Sequence, residues 1–138
     1  MSHAELTCVD TSAWIEYLRN SKHPVVPRTQ ELLLVAQVCV ADVVIGELFQ
    51  GVRSQRERAI IEEVVETLPV ISGTPQTWKE AGQLAGRARS QGKTVHLLDC
   101  YLASLVQERG VAFLTCDGHF GILRAILPQL QVQVIVGT

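Results

Sequence analysis

Four acidic residues stand where their surroundings leave them little to do except chemistry. Glu47 lies within Val43-Val44-Ile45-Gly46-Glu47-Leu48-Phe49 and Asp99 within Val95-His96-Leu97-Leu98-Asp99-Cys100-Tyr101-Leu102, each in a largely apolar segment. An ionised carboxylate taken into such a setting is strongly unfavourable unless paired, and neither segment supplies a Lys or Arg. Asp10 ends the run Leu6-Thr7-Cys8-Val9, and Asp117 follows Val111-Ala112-Phe113-Leu114 after only Thr115-Cys116. A bound cation would satisfy all four at once. Each of three also has a plainer reading: Asp10 as an N-cap or turn residue, Asp99 as a helix cap, and Asp117-Gly118 as a turn pair. Glu47 has no such escape, because a mid-helix glutamate caps nothing, and Gly51 one turn later leaves that face open to a ligand.

Bringing these residues together requires alternating strands and helices. Leu6–Val9 reads as a strand, and Ser12 caps an amphipathic helix running to Leu18. A helix over about Arg28–Val35 precedes a strand at Val38–Val40, and further helices cover Val43–Val52 and Ser54–Glu66. Pro69–Ile71 is a third strand. Thr74 as N-cap with Pro75 in the first helical position starts a helix to about Ser90, and another spans about Leu98–Glu108, closed by Gly110. Val111–Leu114 and Val132–Val136 are strands four and five, with no element assigned between them. The alternation predicts a three-layer α/β/α sandwich around a mostly parallel sheet of about five strands. Asp10 and Asp117 then sit at the carboxyl ends of strands one and four, the pair expected to flank the ligand crevice where strand order reverses.

At 138 residues, 47% of them hydrophobic, the chain suits a single domain over 1–138 with a real core. Its mean hydropathy of +0.20 excludes disorder by low hydrophobicity. The longest apolar runs, such as Leu32–Ala36 and Val132–Val136, are far shorter than the ~18 residues of a membrane span. Glu5 and Asp10 interrupt the only candidate for a secretory leader, so the expected location is cytoplasmic and away from membranes. Cys8, Cys39, Cys100 and Cys116 lack C-x-x-C spacing and sit in apolar segments, which argues against structural zinc and disulfides. A net charge of −2 gives no global attraction to nucleic acid, so any such contact must be local. Basic residues do gather at Arg53, Arg56 and Arg58 and at Arg87, Arg89 and Lys93, where solvated helix faces are the plainer reading.

Taken together, Val9-Asp10-Thr11-Ser12-Ala13-Trp14, Gly46-Glu47-Leu48-x-x-Gly51, Thr94-Val95-x-x-x-Asp99-x-x-x-Ala103 and Leu114-Thr115-x-Asp117-x-x-Phe120 resemble the PIN-domain nucleases, specifically the VapC-type toxins of toxin–antitoxin pairs. The resemblance spans nearly the whole chain. It implies a PIN-like fold, an endoribonuclease activity, and catalytic, metal-binding roles for Asp10, Glu47, Asp99 and Asp117, with Ser12 and Thr115 as supporting polar groups. It also implies a VapB-type antitoxin laying a basic residue across the acidic pocket, a transfer or ribosomal RNA substrate, and a homodimer. One departure is His119, where many members carry a further acid, so a second metal would be held less firmly.

An all-oxygen ligand set without cysteine suits a hard cation such as Mg²⁺ or Mn²⁺, which retains several waters. Such an ion lowers the pKa of a bound water and neutralises charge building on phosphate, so no histidine base is required. His96 and His119 read as solvated or structural groups, with proton transfer the alternative. An acidic pocket repels RNA, leaving Arg53, Arg87, Arg89 and Lys93 as candidates to hold flanking phosphates. A response-regulator phosphoacceptor would need a lysine after a late strand, and none follows strand four or five. A haloacid-dehalogenase phosphatase would need Asp-x-Asp where Asp10-Thr11-Ser12 stands. A non-catalytic PIN-like binding module and a non-toxin PIN nuclease in RNA maturation are the remaining alternatives.

Overall fold

A computed structural model describes residues 5–137. In chain order the elements are β1 (Thr7–Val9), α1 (Thr11–Leu18), α2 (Val25–Leu34), β2 (Val38–Ala41), α3 (Asp42–Gln50), α4 (Gln55–Thr67), β3 (Val70–Ile71), α5 (Pro75–Ser90), α6 (Leu97–Arg109), β4 (Ala112–Thr115), α7 (Phe120–Ile126) and β5 (Val132–Val134). The strands form one sheet in the order β3-β2-β1-β4-β5. Every pairing in it is parallel.

The chain steps outward from β1 to β2 and β3, then crosses back over the sheet to β4 and on to β5. With right-handed crossovers that reversal puts α1–α4 on one face and α5–α7 on the other. Helix packing respects the division: α1 lies against α2 and α3, whereas α5 lies against α6 and α7. Strand order reverses between β1 and β4, which align Cys8 opposite Phe113 and Val9 opposite Leu114. The crevice expected of an open parallel sheet therefore lies beyond Val9 and Thr115.

Burial explains the element sequences. Cys8, Val9, Cys39, Val40 and Leu114 are wholly inside, so these central strands read as continuous apolar runs rather than alternating ones. Helix α6 is buried over seven consecutive residues, Cys100 to Val106. A helix apolar on all sides is what the middle of a layer needs, and α6 packs on β4 below and on α5 and α7 beside it. Gly110 ends it in the left-handed conformation, φ 66°. The start of α5 is fixed as its sequence indicates, with Thr74 and Thr77 bonding reciprocally and Pro75 in the first turn. Just before it, the Gly73 N–H donates to the Tyr101 hydroxyl at 2.9 Å. A Cβ on Gly73 would lie 2.6 Å from that oxygen, so the approach admits only glycine.

The structure corrects the sequence reading in four places. The N-cap of α1 is Asp10 rather than Ser12, whose hydroxyl turns back onto the Asp10 carboxylate. Helix α2 begins at Val25 rather than near Arg28, because Pro27 sits in its first turn, where a missing N–H costs nothing. Helix α7 occupies the stretch left without an element; Gly118 and Gly121 mask it in the sequence. β5 stops at Val134. Among the described residues, no helix is long and apolar enough to cross a membrane.

Candidate active site

Asp10 leaves the end of β1 and is held from three sides. Its Oδ1 accepts the Thr11 N–H at 2.8 Å, and its Oδ2 accepts the Thr115 hydroxyl at 2.7 Å and the Ser12 hydroxyl at 3.1 Å. Ser12 Oγ in turn accepts the Cys116 N–H, and Thr115 Oγ1 accepts the Asp117 N–H. These bonds tie the ends of β1 and β4 together, with the Asp10 N–H donating to the Leu114 carbonyl. Ser12 and Thr115, expected as supporting polar groups, thus both bond to Asp10. Asp10 also caps α1, as the plainer reading of that residue expects.

Glu47 reaches the same place from α3, where its Oε1 accepts the Thr11 hydroxyl at 2.7 Å. Thr11 was missed by sequence reasoning; the signal was its place beside Asp10 at the start of α1. Asp99 lies in the first turn of α6, but the residue at the N-cap is His96, and no side chain caps that helix. The capping reading of Asp99 is therefore set aside; its carboxylate is partly buried and caps nothing. Asp117 accepts both the backbone N–H and the Nδ1 of His119 on one oxygen, each at 2.9 Å. It makes a turn as its sequence suggests, and His119 itself is largely exposed.

Electrostatics show that the four acids share one field. Burial pushes the Asp10 carboxyl up to about 6 against the pull of its three hydrogen bonds, with a small addition from Glu47. Burial likewise raises Asp99, helped by Asp117 and Glu47 and opposed by His96 and His119. Asp10 thus feels Glu47, and Asp99 feels both Glu47 and Asp117. Among the described residues the ion pairs are Arg28–Glu31 and His119–Asp117, so no Lys or Arg neutralises the cluster.

The donor set tests what could neutralise it. No three acidic, imidazole or thiol groups among the described residues are gathered tightly enough to wrap an ion by themselves. That spacing disfavours a protein-caged ion such as structural zinc. It fits a hard cation, which keeps most of its waters and takes one or two carboxylates directly. The nearby Cys116 thiol is pushed up by burial and stays protonated, leaving only oxygen donors of the right charge.

The basic residues singled out from sequence do not form one patch. Arg53 lines a pocket with Glu47, together with Arg19, which sequence reasoning overlooked. Lys93 lines a hollow with Gly118, next to Asp117, on the α7 side. Arg87 lines a separate groove between α5, α6 and α7 with Ser104 and Gln107. Arg89 is exposed on the last turn of α5.

The chain has recognisable relatives among known proteins. Ribonuclease VapC11 of Mycobacterium tuberculosis is 25% identical over 122 residues, covering 86% of this chain and 91% of that protein. The fold is similar to a chain of the DNA-bound VapBC of Salmonella typhimurium, with TM-score 0.72 and 22% identity over 94% of this chain and 97% of that one. VapC20 of M. tuberculosis, described as a sarcin–ricin loop cleaving toxin, superposes with TM-score 0.62 and 18% identity over 83% of this chain and 92% of that one. The sequence profile of the PIN domain matches residues 7–125. On that match, and with four acids gathered where the sheet reverses, this chain belongs to the PIN domain family.

Proposed function

We propose that this protein is a divalent-metal-dependent endoribonuclease of the VapC kind, the toxin of a toxin–antitoxin pair. The observation that carries the reading is the cluster of Asp10, Glu47, Asp99 and Asp117, which no Lys or Arg among the described residues neutralises. The ribonuclease relatives and the VapBC neighbours support it.

Asp10, Asp99 and Asp117 would hold the ion, with Glu47 beside them. When bound, Mg²⁺ or Mn²⁺ supplies a water acidified toward neutrality and a positive charge against the phosphate. The chain's own part is to position. Thr115 and Ser12 fix the Asp10 carboxylate, Thr11 fixes Glu47, and the β1–β4 bonds hold the two strand ends at constant separation. Asp10 is buried and the other three acids are partly so, which holds their negative charge in place for a cation. The partner expected from the VapBC complexes is an antitoxin that covers this acidic edge. Transfer or ribosomal RNA is the expected substrate, and a homodimer the expected assembly.

The test is purified protein on total RNA with Mn²⁺, Mg²⁺ or EDTA, with the new RNA ends sequenced for wild type and Asp10→Asn. Discrete cuts that need metal and vanish in the variant support the reading. Cleavage persisting in EDTA or in Asp10→Asn overturns it. Growth arrest on expression, relieved by the product of the adjacent gene, separates a toxin from an RNA-maturation nuclease.

A further inference from the structure

Beside Glu47, the helices α1, α3 and α4 leave a pocket of about 200 Å³. Its floor is apolar, built from Leu18, Leu48 and Ile61, which are almost fully buried. Arg19 and Arg53 line it alongside Glu47; both arginines are exposed, and neither enters an ion pair among the described residues. Glu57 also lines it, but the Glu57 carboxylate is engaged by the Arg53 backbone N–H at 2.9 Å. The volume lies below the roughly 300–1,000 Å³ of pockets that take drug-sized ligands, so the space suits a single ring system.

An apolar slot for one ring, bounded by two guanidinium groups and opening onto the acid cluster, matches one component of the substrate. We infer that this pocket receives an unpaired base of the RNA next to the bond that is cut, with Arg19 and Arg53 on the phosphates flanking it. This rests on the ribonuclease reading above. Bases splayed from single-stranded RNA into side-chain pockets are the usual basis of sequence recognition, while arginines grip the backbone. Gly51 thereby becomes a specificity-determining position, and Arg19 and Arg53 positioning ones. Gly51 keeps the pocket open, and its backbone does not demand glycine. Its φ is −94°, and a Cβ there would meet only the carbonyls of Glu47 at 3.6 Å and Leu48 at 3.9 Å. A Gly51→Leu side chain therefore fits the backbone and takes up the cavity.

The experiment first maps cut sites on a fluorescein-labelled single-stranded RNA of mixed sequence with Mn²⁺. It then uses short RNAs spanning the preferred cut, with an abasic residue at each position in turn. Wild type should lose about tenfold in kcat/KM when one flanking base is removed, carried by KM, as expected for a small apolar pocket. Gly51→Leu should lose about as much on the natural RNA and nothing further on the abasic one. Arg53→Ala and Arg19→Ala should each weaken binding and lower the slope of affinity against salt by about one. A melting curve matching wild type shows that Gly51→Leu is folded, and the arginine variants test the site independently of it. The inference is overturned if Gly51→Leu discriminates bases as wild type does. It is equally overturned if that variant cleaves normally but no longer binds the antitoxin, which would give the pocket to a protein side chain. Loss of metal dependence in wild type would sink the ribonuclease reading itself, a result separable from either outcome.

Discussion

Two aspartates follow neighbouring strands of the same sheet and meet opposite fates. Asp10 ends β1 and Asp42 follows β2, each beginning a helix. Asp42 accepts the Tyr101 hydroxyl on both oxygens at 2.8 Å and the Val43 N–H on one. Burial and that bond push the Tyr101 hydroxyl up to about 12, so the phenol keeps its proton and the contact is permanent at ordinary pH. Asp10 is likewise bonded by hydroxyls and a backbone N–H, but it also faces a second acid, Glu47, whose charge adds to its own. A strand end supplies an address. The partners decide whether the acid there closes a structural lock or waits for a cation.

The largest expected effect separates the two on activity. Asp10→Asn and Asp99→Asn should each lower the initial rate of RNA cleavage about a thousandfold, the scale of losing an electrostatic contact to the reacting phosphate. Asp42→Asn should stay near wild type under the same assay. Equal losses in all three would dissolve the distinction.

Stability should then invert the order. The folded Asp10 carboxyl lies at about 6, above its ordinary 3.8, so its protonated form favours the fold. That contribution, roughly 3 kcal/mol, is complete below about pH 4 and is lost as pH rises through about 6. In EDTA, the wild-type melting temperature should fall across this window, and Asp10→Asn should be at least as stable at pH 7. Mn²⁺ at a hundredfold excess over its dissociation constant should restore about 2.7 kcal/mol to wild type and little to the variant. A variant several degrees less stable in EDTA would make Asp10 a structural residue like Asp42.

On the other side of the comparison, Tyr101→Phe removes the partner of Asp42 and of the Gly73 N–H together. Thermal melts should show a loss of about 1–3 kcal/mol with cleavage at low temperature nearly intact. The smallest effect belongs to Thr11→Val, which deletes one hydroxyl bond to Glu47. It should reduce kcat about fivefold, with Thr11→Ser restoring most of it. Unchanged kcat would mean that Glu47 needs no positioning.

Much of this was legible in the sequence for a physical reason. Glu47 and Asp99 stand out because burying charge in apolar segments is costly, and Asp10 and Asp117 because the strand pattern places them at one edge of the sheet. What escaped depends on distances between side chains remote in sequence. Thr11 binding Glu47 spans 36 positions. Arg19 and Arg53 meet only across packed helices, and Arg87 falls in a groove lined by none of the four acids, though the sequence groups it with Lys93. Helix α7 escaped because its 7 residues follow Gly118 and contain Gly121, too short a stretch for periodicity to outweigh two poor helix formers.

The buried run of α6 sets how quickly different parts of the site breathe. Amides from Cys100 to Val106 have no solvent-facing side from which a local opening could start, so their exchange with deuterium should proceed only through global unfolding. Asp99 sits one residue before that run, in a first turn flanked by exposed Leu97 and Leu98. Its carboxylate thus stands at the boundary between a buried run and an exposed turn, and the amides of that turn should exchange well before those from Cys100 to Val106.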